Sequence, residues 1–458
     1  MRPSFNMSLY IFTTIASSMM GTSCASTAPT ETTAPSSKFA PAQVAPAYVP
    51  AGDLVDPSNQ TTVTFAQLLI FADANAPTIQ TSRARAGLAK ADLARAEIPL
   101  PANPQVSVGA GGRSASGQTG FEFEVALEQQ LEVAGEQSLR SQAAQDNQQL
   151  AQAAVQEARW SVHMDVHRLV VRVSLAKERL KQAKHFASFS ESVRDTVAKQ
   201  VKAGESSPLV LLVADADLAQ TKEAIVEAKQ ALDELNVRLA AVVGWPHDTP
   251  LKVEYELHTV RELPSTEELL GLMATHHPSL RTRELAVVAK QSRLRLEERE
   301  AWPEPTVGLS YAREPSLGQG TDASIWLFTF SLPIPLWHTN QQAISLARAQ
   351  LDVADRQRDT AVQRLRARLR QSVIALDAAA ARVAIYEEGV MPKLEENLKL
   401  LRRAYELGEI DIHQVSQTRS RLLTATGQFI RARTIYYDAV VTLEGLVGTE
   451  LWTTEDVP

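Results

Sequence analysis

The sequence predicts a mainly α fold with a minor transmembrane β part, in which one unit of long coiled-coil helices plus a β-hairpin is used twice. Three observations predict it. Segments about 200 residues apart match along the chain: Leu68-Leu69 with Leu269-Leu270, Ala76-Pro77 with His277-Pro278, Asn103-Pro104-Gln105-Val106 with Glu304-Pro305-Thr306-Val307, and Val243-Gly244 with Val447-Gly448. Each half contains a helical pattern of about 70 residues, or about 105 Å of helix. Each half also holds two alternating apolar/polar runs behind a proline cluster, the mark of a strand pair with two unlike faces. Composition agrees: 44% hydrophobic and 22% charged excludes a wholly disordered chain, and 6% aromatics with 20 glycines in 458 residues favours helices over sandwiches.

Residues 1–24 have the layout of an export signal: Arg2, the apolar run Leu9-Tyr10-Ile11-Phe12, then Gly21-Thr22-Ser23-Cys24. That run is too short to span a membrane permanently. Small residues before a lone cysteine resemble a bacterial lipobox, with lipid attached to Cys24, although Gly21 stands where that pattern has leucine. The other reading is an ordinary signal cut near Ala25; either way the chain is exported. Residues 25–61, rich in Ala, Pro and Thr without hydrophobic period, read as a flexible spacer.

The first repeat spans 62–250 and is read as a helix over 62–98, a hairpin over about 104–130, a long helix over 133–202 and a return helix over 208–244. The second spans 262–450, with a helix over 264–301, a hairpin over about 305–335, a long helix over 338–407 and a return helix over 412–448; 451–458 is a tail. In the long helix Leu365, Leu369, Val373, Leu376, Ala380 and Val383 follow the three-and-four spacing of a coiled-coil seam. Gly204 and Gly408 follow the two long patterns, where glycine can take the left-handed conformation that ends a helix. In the hairpins Phe121, Phe123, Val125 and Leu127 face away from Glu122, Glu124 and Glu128, and Trp326, Phe328 and Phe330 alternate with Leu327, Thr329 and Ser331.

Four strands of about ten residues, aromatic on one face and polar on the other, match strands that cross an outer membrane. Four cannot close a barrel, and open sheet edges are not tolerated in lipid, so copies must combine; three give twelve strands. Helices about 105 Å long do best packed side by side around a common axis in water, and the product is a tube.

These features resemble the TolC-like outer membrane efflux proteins over about 62–450. The most specific stretch runs from Gly389-Val390-Met391-Pro392-Lys393-Leu394 to Ala404-Tyr405-Glu406-Leu407-Gly408-Glu409-Ile410, similar to the family's mid-helix proline followed by a Tyr-x-x-Gly tip. Ser331-Leu332-Pro333-Ile334-Pro335-Leu336 followed by Asn340-Gln341 resembles the heavy-metal (CzcC-like) branch. The resemblance implies a homotrimer whose β-barrel sits in outer-membrane lipid and continues as a periplasmic α-barrel. It further implies docking to a periplasmic adaptor and to an inner-membrane pump, of the resistance-nodulation-division type for that branch. The implied docking surface lies at the helix tips: Val201, Lys202, Gly204, Ser206, Tyr405, Gly408, Ile410 and Asp411. Where some relatives constrict the channel with carboxylates this chain has Gln414 and Gln417, so a polar ring replaces an anionic gate; Arg402, Arg403 and Tyr405 correspond to the family's latch residues.

Phe121, Phe123, Val125, Trp326, Phe328 and Phe330 are the expected lipid-facing side chains. Glu122, Glu124 and Glu128 then face the lumen, either as ordinary strand solvation or, repeated in each copy, as acidic rings favouring cations. His163 and His167, four apart, have the spacing of a two-histidine metal site but lack a third ligand nearby in sequence, and a packed helix face is the plainer reading. No phosphate loop, nucleophile elbow or zinc signature is present, so neither an enzyme nor a cofactor is expected. A net charge of -7 leaves no basic field for nucleic acid, and one cysteine permits no intrachain disulfide. Two alternatives stay open at this level: the duct of a type I protein secretion system, and an exported coiled-coil structural protein without a pore.

Overall fold

The computed structural model describes residues 55–57, 62–100, 102–115, 117–257, 263–316, 320–389 and 391–452; Cys24, the signal segment and most of the expected spacer lie outside the described residues. The first repeat begins with a three-residue strand, β1 (Thr62–Thr64), leading into helix α1 (Phe65–Asn75). Thr64 and Gln67 close a capping box there, the Thr64 hydroxyl accepting from the Gln67 amide and the Gln67 side chain accepting from the Thr64 amide. Helix α2 (Pro77–Ala96) follows at once. The single helix expected over 62–98 is therefore two, because Pro77 offers no N–H to continue α1 yet is well suited to start α2.

Two strands come next, β2 (Gln105–Ala115) and β3 (Gln118–Gln130), then helix α3 (Glu136–Lys202) of 67 residues, about 100 Å long. Helix α4 (Pro208–Val243) returns alongside α3. It is followed by β4 (Lys252–Glu254), which pairs in parallel with β1, a contact the sequence pattern did not announce.

The second repeat repeats the order. Helices α5 (Thr266–His276) and α6 (Pro278–Arg299) are split at Pro278, where the His277 ring Nδ1 accepts from the Ser279 amide at 3.2 Å and caps α6. This too corrects the single helix expected over 264–301. Strands β5 (Thr306–Glu314) and β6 (Ala323–Ser331) lead to helix α7 (Gln341–Gly389). The long helix expected over 338–407 is not continuous: a 3-10 turn, Met391–Lys393, separates α7 from α8 (Leu394–Glu406). Pro392 removes one amide donor and its ring crowds the preceding turn, which accounts for the break. Helix α9 (Ile412–Val447) returns.

The four long strands form one antiparallel sheet in the order β2-β3-β5-β6, with β2 and β6 at its edges. Among the described residues no helix is long and apolar enough to cross a membrane.

Three large clusters of buried side chains hold the helices. One is drawn wholly from the first repeat, with Leu68, Phe71, Val166, Val170, Leu239, Val243 and Trp245 at its centre. A second, drawn wholly from the second repeat, contains Leu269, Met273, Leu369, Leu376, Leu443 and Val447. The third joins the repeats where α3, α4, α8 and α9 turn, through Phe186, Val197, Leu398, Leu401 and Val415.

The return helices end at twin glycines. Gly244 has φ +76° and Gly448 φ +88°, and a Cβ on either would collide with the helix break of its own repeat: Asn75 O at 2.4 Å in the first, His277 Cα at 2.6 Å in the second. Gly204, with φ +77°, faces open space. Gly244→Ala and Gly448→Ala should therefore lower the melting temperature in detergent clearly more than Gly204→Ala, which carries only the left-handed backbone cost of about 1–2 kcal/mol. Equal shifts for all three would contradict the close approach.

Candidate functional site

Directly opposed residues of antiparallel strands share a face, so the register sorts the sheet side chain by side chain. Trp326 lies across from Tyr311, Tyr311 across from Val125, and Val125 across from Val108. The next row toward the helices is Phe328, Leu309, Leu127 and Val106. Phe330 with Val307, and Phe123 with Ala110, complete a continuous apolar face. Phe121, Trp326, Phe328 and Phe330 are exposed in the single chain, and Tyr311 packs its ring on Trp326 at 4.9 Å and on Phe123 at 5.8 Å.

Glu122, Glu124 and Glu128 occupy the opposite face, opposed by Gly111, Gly109 and Gln105 on β2. On β5 the partners of Glu124 and Glu128 are Ala312 and Gly308. Small neighbours leave the carboxylates room to extend into the space before the sheet. No acid answers them on β6, where Ile325, Leu327, Thr329 and Ser331 lie on that face.

The other candidate region is formed by the turns between α3 and α4 and between α8 and α9. Gly204 and Gly408 both take left-handed φ, +77° and +74°, and let each helix reverse. Ser207 caps α4 by accepting from the Leu209 amide at 3.2 Å. Asp411 caps α9 in a box with Gln414: the Gln414 amide donates to Asp411 Oδ1 at 2.8 Å and the Asp411 amide to Gln414 Oε1 at 3.3 Å. The Gln414 side chain thus has a structural partner, while Gln417 is exposed on α9.

Lys202 is exposed, whereas Val201 and Ile410 pack partly into the cluster that joins the repeats, and Ser206 is half-buried. Tyr405 departs from the surface expectation. It is only 7% exposed, its hydroxyl donates to Gln200 Oε1 at 3.1 Å, and burial raises the phenol pKa. Its place in the heptad seam of α8 turns it inward, so it ties α8 to α3 rather than presenting its ring to a partner.

Arg419 carries a second tie that sequence reasoning missed. It is 2% exposed on α9, and its guanidinium donates to Asp217 Oδ1 at 3.0 Å, Asp217 O at 3.2 Å, Gln220 Oε1 at 3.3 Å and Ser190 Oγ at 3.3 Å. Ser416 adds a 3.0 Å bond to the same carboxylate. Burial lowers the Arg419 pKa and the Asp217 charge opposes that, the expected balance for an enclosed ion pair. The pair joins the return helices of the two repeats. The signal in the sequence was a sign reversal: superposing Gly204 on Gly408 sets Asp215 against Arg419 and Asp217 against Arg421.

His163 and His167 are packed side chains. His163 bonds Glu450 at 2.6 Å and stacks on Trp160, while His167 bonds the Tyr255 hydroxyl at 3.0 Å with Glu444 at 3.4 Å. Among the described residues no group of three or more His, Cys, Asp or Glu side chains is arranged to hold a metal ion.

With this geometry in view, the chain was compared with known proteins. The sequence profile of the outer membrane efflux protein family matches residues 69–245 and 269–449, one match on each repeat. The chain belongs to that family. The cobalt-zinc-cadmium resistance protein CzcC of Cupriavidus metallidurans is 22% identical over 320 residues, covering 69% of this chain and 75% of that protein. The fold matches crystal structures of CusC (TM-score 0.68, 16% identity, 91% of this chain and 99% of that one) and of the Campylobacter jejuni outer membrane channel CmeC (TM-score 0.67, 16% identity, 85% and 87%). This outer membrane efflux protein is accordingly a transport component of the outer membrane, not a catalyst, and the reading of a structural protein without a pore is set aside.

Two outcomes follow for the efflux protein's helical part. Asp217→Asn, which leaves Arg419 buried without its counter-charge, should cost about 3 kcal/mol locally. Faster amide exchange confined to 186–220 and 394–423 would show it, and unchanged exchange there would contradict the tie. Burial tends to raise the Glu450 pKa, but the hydrogen bond and charge of His163 overcome it and hold that carboxyl below its ordinary value. A depressed acid stabilises above its unfolded pKa of about 4.3 and loses that contribution as pH falls through the folded value. Amides 449–452 should then be protected at pH 7 and exchange faster as acid titrates Glu450, an effect abolished in Glu450→Gln.

Proposed function

We propose that this efflux protein acts as a homotrimeric duct that carries transition-metal cations across the outer membrane. What carries the reading is the two-faced open sheet, apolar on one side and bearing Glu122, Glu124 and Glu128 on the other. Three copies supply twelve strands and leave no free edge. The apolar face, with Phe121, Phe123, Val125, Trp326, Phe328 and Phe330, then meets lipid, and the three glutamates of each copy line the lumen. Carboxylates repeated around a water-filled pore with low-dielectric walls concentrate cations and repel anions.

The similarity to a cobalt-zinc-cadmium resistance protein supports divalent metal ions as the cargo and a resistance-nodulation-division pump as the source of energy. The tips around Gly204 and Gly408, with Lys202, Ser206, Ile410 and Asp411 beside them, are the docking surface for a periplasmic adaptor, with Val201 and Tyr405 shaping it from beneath. Gln417, with Gln414 beside it in its capping box, makes the constriction polar rather than anionic. Cys24 is the attachment point for a lipid anchor, which a diacylglycerol-bearing N-terminal peptide in mass spectrometry would reveal.

The test is electrical. In planar bilayers under a salt gradient the protein should be cation-selective, and Glu122→Gln with Glu124→Gln should move the reversal potential toward zero. An unchanged reversal potential would rule out the acidic lumen.

A further inference from the structure

Beyond the last residue of β6 the chain remains conspicuously apolar and uncovered. Ile334 is 73% exposed, Leu336 68% and Trp337 80%, the highest value among the exposed large hydrophobic residues. Trp302, ahead of β5, is 59% exposed, and it lines one shallow depression together with Pro333, Ile334, Leu336 and Trp337. None of these side chains belongs to the sheet ladder, which ends at Ser331.

Three features identify what covers them. The first is continuity: the even-numbered run Trp326, Phe328, Phe330 on the apolar sheet face is followed without interruption by Leu332, Ile334 and Leu336. From Trp326 to Trp337 the chain advances about 36 Å at 3.3 Å per residue, or about 27 Å along the membrane normal at the usual barrel tilt. That is close to the apolar band of an outer-membrane barrel, about 25 Å tall between two aromatic girdles. The Phe123, Tyr311 and Trp326 rings mark one end of that span and Trp302 with Trp337 the other.

The second feature is the backbone. A non-strand segment is costly in lipid because its amides find no partner. Here Pro333 and Pro335 have no amide hydrogen, and the Leu336 amide donates to Ile334 O at 2.9 Å, so from Pro333 to Leu336 only the Ile334 amide is left to solvate. The third feature excludes a strand of a neighbouring copy as the cover. β6 is an edge strand, but a ladder cannot be continued past Ser331 through two prolines.

We propose that Ile334, Leu336, Trp337 and Trp302 rest in the headgroup layer of the leaflet on the helix side, so that the lipid-contacting surface continues past the ends of the strands onto a proline-rich collar. Tryptophan suits that layer, since its ring is apolar and its indole N–H reaches water or headgroup oxygens. The collar fixes the depth of the barrel: below it the depression changes to Glu300, Glu304, His338 and Asn340, groups that stay with water. The proposal rests on the membrane reading of the sheet, and its test separates the two.

The full chain is reconstituted in phosphatidylethanolamine/phosphatidylglycerol vesicles carrying a spin-labelled lipid, with the label either near the headgroup or near the bilayer centre. Tryptophan emission is compared between the parent, Trp337→Phe and Trp326→Phe, conservative changes at exposed positions that leave the core intact. The emission lost in Trp337→Phe should be quenched at least about twofold more by the headgroup-proximal label than by the central one, and be protected from aqueous iodide. If that lost emission is quenched by iodide and not by lipid, the collar lies in water and the proposal falls. If neither quenches it, a protein partner covers Trp337 and the proposal falls equally. Loss of a lipid-quenched component in Trp326→Phe shows the sheet itself in the membrane; its absence would overturn the membrane reading and the collar with it.

Discussion

An unpaired row of backbone N–H and C=O groups cannot face hydrocarbon, and this one constraint governs the molecule. The four long strands form an open sheet whose edge strands, β2 and β6, are unsatisfied in the single chain. In an outer membrane such edges require further copies. The requirement reaches the rest of the chain through the helices: α3 follows β3 and α7 follows β6 after short connections, so a closed ring of strands places long helices side by side around the same axis. The pore is thus a consequence of hydrogen-bond satisfaction in lipid, and the helical tube is its extension into water.

Within that frame the two repeats have diverged where charge and polarity matter. Only the first carries carboxylates on the polar sheet face; the second has Leu327, Thr329 and Ser331 there. At the helix turns the divergence is a matter of sign, with Asp217 from one repeat enclosed against Arg419 from the other. Two identical repeats would set like charges at such positions. Duplication followed by sign reversal turns a pseudo-symmetric contact into an attractive one, and the buried Tyr405–Gln200 bond adds to the same junction.

Much of this was legible in the residues. Strand faces follow a period of two and were readable from Phe121 to Leu127 and from Trp326 to Phe330, because one face is continuously apolar. The breaks at Pro77, Pro278 and Pro392 were visible as prolines, yet the apolar period runs through them and suggested longer helices than those that form. The pairing of β1 with β4 escaped notice because three residues are too few to show a period. Tyr405 shows two kinds of inference in conflict: resemblance set it on a docking surface, whereas its seam position buries it. Arg419 was hidden for a different reason, since a charged residue on a helix is by default taken as solvated until the fold brings Asp217 across from it.

The two large helical cores also differ from the third in how far along the chain their members lie. The first draws only on residues 55–255 and the second only on 263–452, with Gly244 and Gly448 each closing against the helix break of its own half. A chain delivered from its N-terminus can therefore complete the first core before the second half has emerged, so the first half needs no chaperone to shield it while it waits. Only the junction of the helix turns, and the sheet with its β3–β5 pairing, must await the whole chain. Vectorial export and structural duplication are matched in this respect: the order of delivery is also an order in which burial can proceed.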